Sequence, residues 1–125
     1  MEASKKSKIL IVEDEDAIRL TLREYLMKRG YEVLVASDGV GAIKLLLDNE
    51  IGIIVTDYRM DILGGDYWIK FLLKYCPRQK VIITSGFLRP EFDIPYEIVY
   101  KPFEYAEFER KLSAILESSS FNAKV

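Results

Sequence analysis

Residues 8–16 read Lys-Ile-Leu-Ile-Val-Glu-Asp-Glu-Asp, a short β-branched run followed at once by four acidic residues. A run of this composition is typical of a strand that is buried on both faces, as in a parallel sheet. Tyr31 to Ala36 and Ile51 to Thr56 have the same character and predict a second and a third strand. Val81 to Thr84 and Ile98 to Tyr100 are shorter and predict a fourth and a fifth.

Segments with helical spacing of apolar residues alternate with these strands. The predicted helices are Asp16 to Arg29 (apolar residues Ile18, Leu22, Tyr25, Leu26), Asp38 to Asn49 (Val40, Ile43, Leu47), Asp66 to Tyr75 (Trp68, Phe71, Leu72, Tyr75) and Glu104 to Glu117 (Phe108, Leu112, Ile115, Leu116). Gly30 is a predicted C-cap, and Ser37 a predicted N-cap. Trp68, Phe71 and Tyr75 are expected in the core. This alternation predicts βαβ units and an α/β fold, with a parallel sheet covered on both faces.

The fourth unit of this pattern is incomplete. Only Leu88 to Glu97 is available for a helix between the fourth and fifth strands, and this stretch contains Pro90 and Pro95. Because proline inside a helix removes a hydrogen bond and clashes with the preceding turn, we expect at most one irregular turn there.

Length and composition limit the possible functions. The 125 residues fit one domain and leave no room for a separate output domain, and half of them are apolar, which suffices for a core. With a net charge of -2, the chain lacks the excess of positive charge that binding to nucleic acid or anionic lipid requires. A single cysteine, Cys76, with no signal peptide or membrane-length apolar run, predicts a soluble cytoplasmic protein. The absence of histidine excludes Ser-His-Asp and Cys-His catalysis and histidine-ligated zinc.

Polar residues follow each strand at the edge where parallel sheets bind ligands. Glu13 and Asp14 follow the first strand, Asp57 the third, Ser85 the fourth and Lys101 the fifth. If the first and third strands are neighbours, their carboxylates converge and repel each other unless a cation such as Mg²⁺ intervenes. With a lysine and a hydroxyl nearby, this set has what phosphoryl transfer onto a carboxylate requires.

The chain resembles the receiver domain of bacterial two-component response regulators, the family that includes the single-domain chemotaxis regulator. The resemblance covers Lys8 to Glu117. It rests on the residues at the strand ends and in the loop after the third strand, namely Glu13, Asp14, Asp57, Met60, Gly65, Ser85, Gly86, Lys101, Pro102 and Phe103. Residues 1–7 and 118–125 are then tails flanking a domain over 8–117.

The resemblance implies a flavodoxin-like, doubly wound sheet of order 2-1-3-4-5. It implies that Asp57 is the phosphoacceptor, served by Ser85 and Lys101, and that the Lys101–Pro102 bond is cis. Mg²⁺ would be held by Asp14, Asp57 and the backbone carbonyl of Arg59, with Glu13 acting through water. The implied partners are a sensor histidine kinase or phosphotransfer protein and a downstream protein target, while the charge and hydropathy of the chain predict no nucleic acid and no membrane as partners. The only chemistry implied is self-phosphorylation and dephosphorylation, not an enzyme activity on other substrates.

Several positions depart from the family pattern. The helix before the fifth strand is shortened or missing, and Ile98 stands where the family carries a switch aromatic. Tyr96 and Tyr100 flank Ile98 and are expected on the opposite face. Asp61 replaces the usual proline beside the site, and the side chain of Arg59 is expected to reach over the phosphoryl group.

Two alternative functions remain open on the sequence. The missing helix and Ile98 are compatible with a receiver-like module that binds proteins independently of phosphorylation. A flavodoxin-like enzyme or cofactor carrier is the third reading, but four acids stand where its glycine-rich phosphate loop would follow the first strand.

Overall fold

The computed structural model describes residues 8–59, 65–86 and 94–118. Its strands are β1 (Lys8–Val12), β2 (Glu32–Ala36), β3 (Ile53–Asp57), β4 (Lys80–Ser85) and β5 (Glu97–Tyr100), and its helices are α1 (Asp16–Lys28), α2 (Gly39–Asp48), α3 (Gly65–Tyr75) and α4 (Tyr105–Glu117). All the predicted elements are therefore present, and their ends differ from the predicted ones by at most two residues.

The five strands form one parallel sheet of order β2-β1-β3-β4-β5, which confirms the flavodoxin-like fold implied by the resemblance. In this order β1 and β3 are neighbours, with Val12 opposite Thr56. Asp57 at the end of β3 lies opposite Thr84, and Ser85 at the end of β4 lies opposite Tyr100. The polar residues at the ends of β3 and β4, and those just after β1 and β5, thus come to the same edge of the sheet.

Two cores lie on the two faces of the sheet because successive strand residues point to opposite sides. The first packs the sheet against α2 and α3, and includes Leu10, Ile54, Ala42, Trp68 and Leu72. The second packs it against α1 and α4, and includes Ile9, Ile11, Leu26, Phe108 and Leu112. The strands are therefore buried from both sides, as their β-branched composition predicts.

Gly30 and Gly65 both adopt positive φ angles, 98° and 60°, at helix boundaries. Arg29 is the C-cap of α1, and Gly30 lies one residue beyond it, where its N–H donates to the Met27 carbonyl and its positive φ ends the helix. Gly65 opens α3, and its backbone N–H donates a 2.8 Å hydrogen bond to the carbonyl of Tyr58. A side chain at either position would be strained because L-residues other than glycine rarely occupy this region.

The prediction for α2 was wrong in two respects. Asp38, not Ser37, is its N-cap, because the Asp38 carboxylate accepts a 2.9 Å hydrogen bond from the backbone N–H of Gly41. Of its predicted buried face, Ile43 does pack against the core, but Leu47 is 80% exposed and Val40 is exposed too, whereas Ala42 is fully buried.

Three aromatic side chains also differ from prediction. Tyr75 was expected in the core but is exposed near the end of α3, where its ring contacts Phe71. Tyr96 was expected opposite Ile98, yet both pack against the core beneath α2 and α3. Residues two positions apart in an extended strand share a face, so Tyr96 and Tyr100 both belong on the side of Ile98. Tyr100 stands at the end of β5 and is exposed there.

Several predictions lie outside the described residues. These concern the tails at 1–7 and 119–125, Met60 and Asp61, and most of the stretch for which at most one irregular turn is predicted, including Pro90. The described residues between β4 and β5, Gly86 and 94–96, are not helical. Within the described ranges, no helix combines the length and the apolar character needed to cross a membrane.

Candidate functional site

The carboxyl edge of the sheet collects the polar residues predicted from the sequence. Asp57 is the last residue of β3 and is held there by the pairing of β3 with β4. Just beyond it, the Tyr58 backbone N–H donates to the Thr84 carbonyl over 2.8 Å. The Asp57 residue is only 6% exposed, although it stands at the end of a strand.

Lys101 links two of the acidic side chains directly. Its Nζ lies 2.8 Å from Asp57 Oδ1 and 3.1 Å from Glu13 Oε1. Glu13 is only 4% exposed, so the ammonium group pairs with two largely buried carboxylates at once. One cation therefore connects the ends of β1, β3 and β5.

Asp14 completes the acidic group. Carboxylate oxygens of Glu13, Asp14 and Asp57 lie within 4.8 Å of one another, with Asp14 exposed at the mouth of the site. Oxygen donors grouped in this way suit a hard divalent cation, and Mg²⁺ binds proteins through one or two carboxylates while keeping several of its waters. The residues present fit the metal that the resemblance implies.

Burial and repulsion act together on these carboxylates. Burial raises the pKa of Asp57, and the charge of Asp14 raises it further, while Lys101 and the Arg59 backbone N–H lower it. Burial likewise raises the pKa of Glu13, helped by the charge of Asp57 and opposed by Lys101. Because both pKa values end above their ordinary values, burial and carboxylate repulsion together outweigh the stabilisation of the charged forms by Lys101.

The same contacts shift the pKa of Lys101. Burial by itself lowers the pKa of Lys101, but its hydrogen bonds and charge interactions with Asp57 and Glu13 outweigh burial and raise the pKa overall. The ammonium group is therefore charged throughout the neutral range. It supplies fixed positive charge beside Asp57.

Ser85 and Lys101 are brought together by the backbone at the ends of β4 and β5. The Lys101 N–H donates a 2.7 Å hydrogen bond to the Ser85 carbonyl, and Ser85 is only 2% exposed. The Lys101–Pro102 peptide bond is cis, as the resemblance implies. The predicted residues Glu13, Asp14, Asp57, Ser85 and Lys101 thus all lie at one edge of the sheet.

A buried polar contact lies immediately behind Asp57. The indole N–H of Trp68 in α3 donates to Thr56 Oγ1 over 2.9 Å, and that hydroxyl donates onward to the Asp57 carbonyl over 3.3 Å. Trp68 is the single tryptophan of the chain and is fully buried. The sequence analysis placed Trp68 in the core but did not connect it to the site.

Arg19 is a second residue that the sequence analysis missed. Its Nη1 donates to the main-chain carbonyl of Glu13 over 2.9 Å, and its Nη2 lies 2.6 Å from Asp16 Oδ1. The available sequence signal was an acid and an arginine three positions apart at the start of α1, a spacing that puts both on one helix face. The contact with a backbone carbonyl has no such signal.

Comparison with known proteins identifies the family. A family model described as the response regulator receiver domain matches residues 9–94. Sensor kinase CckA of Brucella abortus is 32% identical over 93% of this chain, which aligns with 13% of that protein. The response regulator receiver protein CpdR of the same organism is 26% identical over 87% of this chain and 96% of its own length.

A solved receiver-domain structure has the same fold as this chain. The Francisella response regulator 1452 receiver domain superposes with a TM-score of 0.80 at 26% identity, and covers 90% of this chain and 98% of its own. Several curated relatives are longer, and the chain spans less than half of their length. The matches over most of the chain, joined to the sheet order and the acidic edge, show that this chain belongs to the response regulator receiver domain family.

Proposed function

We propose that this chain is a phosphorylation-dependent signalling switch in which Asp57 accepts a phosphoryl group from the histidine of a partner sensor kinase or phosphotransfer protein. The observation that carries the proposal is the position of Lys101, which pairs with Asp57 and Glu13 while Asp14 lies within reach of both. Receiver domains generally serve two-component signalling, and do so as signalling modules rather than as enzymes.

In this proposal an Asp57 carboxylate oxygen attacks the phosphorus of the donor. The new oxygen–phosphorus bond forms as the nitrogen–phosphorus bond of phosphohistidine breaks, and the electron pair leaves with the imidazole. Lys101 stabilises negative charge on the phosphoryl oxygens, and the Ser85 hydroxyl donates to one of them. The product is an acyl phosphate on the same chain, so no turnover on a separate substrate is required.

Mg²⁺ would be held by Asp14, Asp57 and the backbone carbonyl of Arg59, with Glu13 acting through water. When bound, the cation neutralises charge on the carboxylates and on the phosphoryl oxygens. The raised pKa values of Asp57 and Glu13 are in keeping with this assignment, because burial and carboxylate repulsion disfavour the charged forms and a bound cation would oppose both effects.

The direct test is the intact mass of the protein after incubation with acetyl phosphate. We expect one added phosphoryl group that requires Mg²⁺ and is lost in Asp57→Asn. Asp48→Asn, at the exposed end of α2, is the matched control and should be phosphorylated normally. Persistence of the added mass in Asp57→Asn would contradict the assignment of Asp57.

The exposed side chain of Arg59 is proposed to lie over the phosphoryl group and to affect its lifetime. Arg59→Ala should change the dephosphorylation rate without abolishing phosphorylation. An unchanged rate would remove Arg59 from the proposal.

A phosphorylation-independent binding module is the alternative. The observation that favours it concerns Ile98, which occupies the position of the family's switch aromatic. This aliphatic side chain packs against the core beside Tyr96. Without a hydroxyl-to-aromatic coupling, phosphorylation would be reported through other groups. If no phosphodonor adds mass to the folded wild type, the result favours the phosphorylation-independent module over the phosphorylation-dependent switch.

A further inference from the structure

The loop that carries the acidic residues is held at both ends by one arginine. Arg19 Nη1 donates to the carbonyl of Glu13, where β1 ends, and Arg19 Nη2 pairs with Asp16, the first residue of α1. The Arg19 side chain is only 14% exposed although Asp16 is largely in solvent. A planar guanidinium fixes two such acceptors in a defined relative orientation, which a lysine ammonium cannot do.

Other contacts within this loop involve the backbone. The Glu13 N–H donates to the Ala36 carbonyl over 3.0 Å, and the Glu15 N–H donates to Glu13 Oε2 over 3.2 Å. Glu15 is the N-cap of α1, but its side chain makes no capping hydrogen bond. Besides the Glu13 carboxylate, the Arg19 fork therefore also ties the start of α1 to the end of β1, with Asp14 between its two anchors.

We propose that Arg19 is a positioning residue that sets the Mg²⁺ affinity of the site by fixing the acidic loop. The inference rests on the proposed function, because it assigns to Arg19 the orientation of Glu13 and Asp14 toward the cation. Arg19 itself need not contact the metal. Residues that orient metal ligands in this way typically change metal affinity by about 10- to 100-fold when they are replaced.

The sign of the effect separates this role from simple electrostatics. A positive charge close to a cation site opposes binding, so removing Arg19 would tighten Mg²⁺ binding if its charge alone mattered. A positioning role predicts the reverse, because the loop loses its anchor and the ligands must be ordered when the cation binds. Arg19→Gln should therefore raise the Mg²⁺ dissociation constant by about 10-fold.

The experiment is calorimetric titration of the full chain with MgCl₂, with urea unfolding measured in parallel. Arg29→Gln is the matched control, because it removes an α1-end arginine and its 2.8 Å ion pair with Glu109 far from the site. Arg19→Lys keeps the charge but loses the fork, and it is expected to bind Mg²⁺ more weakly than the wild type. Arg29→Gln should bind with the wild-type constant.

The outcomes are distinguishable. A dissociation constant that rises in Arg19→Gln and Arg19→Lys but not in Arg29→Gln supports the positioning role, whatever small stability loss the three share. An unchanged or lower constant in a folded Arg19→Gln overturns it, and if that variant does not fold, an unchanged constant in Arg19→Lys does the same. A wild type that binds no Mg²⁺ overturns the proposed function together with this inference.

Discussion

Replacing Lys101 by methionine tests whether its ammonium group stabilises the buried carboxylates of Asp57 and Glu13. Methionine keeps much of the length and apolar contact of the lysine stem but removes the ammonium group. Asp57 and Glu13 then lose the cation that lies 2.8 Å and 3.1 Å from their oxygens. Because both carboxylates are nearly buried, the variant leaves two close negative charges without their common partner.

The size of the effect follows from this burial. Removing one partner of a fully buried ion pair typically costs about 3–5 kcal/mol, because the remaining charge is desolvated and unpaired. Lys101 is 21% exposed and Asp14 opens the site to solvent, so water and salt compensate part of the loss. We therefore expect Lys101→Met to lower the free energy of unfolding by about 2–3 kcal/mol in the absence of Mg²⁺.

Urea unfolding followed by fluorescence is the assay, since Trp68 is the single tryptophan and is fully buried. Lys111→Met is the matched control, because it breaks a 3.3 Å pair with Glu97 in which both side chains are substantially exposed. Such surface pairs are worth about 0–1 kcal/mol. The double variant Asp57→Asn, Lys101→Met should recover much of the loss, because only Glu13 is then left without its partner.

Saturating Mg²⁺ should reduce the loss in Lys101→Met, because the cation restores positive charge to the same carboxylates. A Lys101→Met protein as stable as Lys111→Met would contradict the view that Lys101 compensates buried charge. A double variant less stable than either single variant would contradict it as well.

Three further predictions concern the protein around the site. Thr56→Val leaves the buried Trp68 indole N–H without its partner and should cost about 1–3 kcal/mol in urea unfolding; a cost near zero would show that the contact does not matter. Burial raises the pKa of Tyr96 from the ordinary value of 10.0 to about 12 in the folded protein. The unfolded chain therefore loses this proton at lower pH than the folded one, so the free energy of unfolding is highest below pH 10 and falls as the pH rises toward 12. Tyr96→Phe should therefore flatten the fall in unfolding free energy over that interval, and an unaltered slope would count against this origin. Phe108→Ala should cost about 3–5 kcal/mol in urea unfolding because the ring is buried, whereas the exposed Leu47→Ala should stay within about 0.5 kcal/mol, and similar costs would contradict the assigned faces.

The elements that the sequence predicts well are those whose patterns are local. The β-branched runs mark the strands because burial on both faces requires continuous apolar residues, and the acids after β1 and Asp57 after β3 follow from strand order. The order itself came from the resemblance, because apolar patterns do not determine which parallel strands are neighbours. Once β1 and β3 are adjacent, the meeting of Glu13, Asp57 and Lys101 follows from the geometry of the edge.

The failures have equally specific causes. Asp38 competes with Ser37 for the N-cap of α2, and only backbone geometry decides which of two neighbouring polar residues accepts from Gly41. Leu47 is apolar but exposed, since the composition of α2 is too uniformly apolar to mark its buried face. The role of Arg19 depends on a backbone carbonyl, which no pattern of residue types reveals.

The identity of the phosphorylated residue is best tested by chemistry that marks an acyl phosphate in place. Borohydride reduces an aspartyl phosphate to homoserine, so the phosphorylated protein would be reduced, digested and sequenced by mass spectrometry. If Asp57 is the acceptor, homoserine appears at position 57 only and requires both Mg²⁺ and a phosphodonor. Homoserine at Asp14 or at another acid, with Asp57 unmodified in the folded protein, would contradict the central assignment.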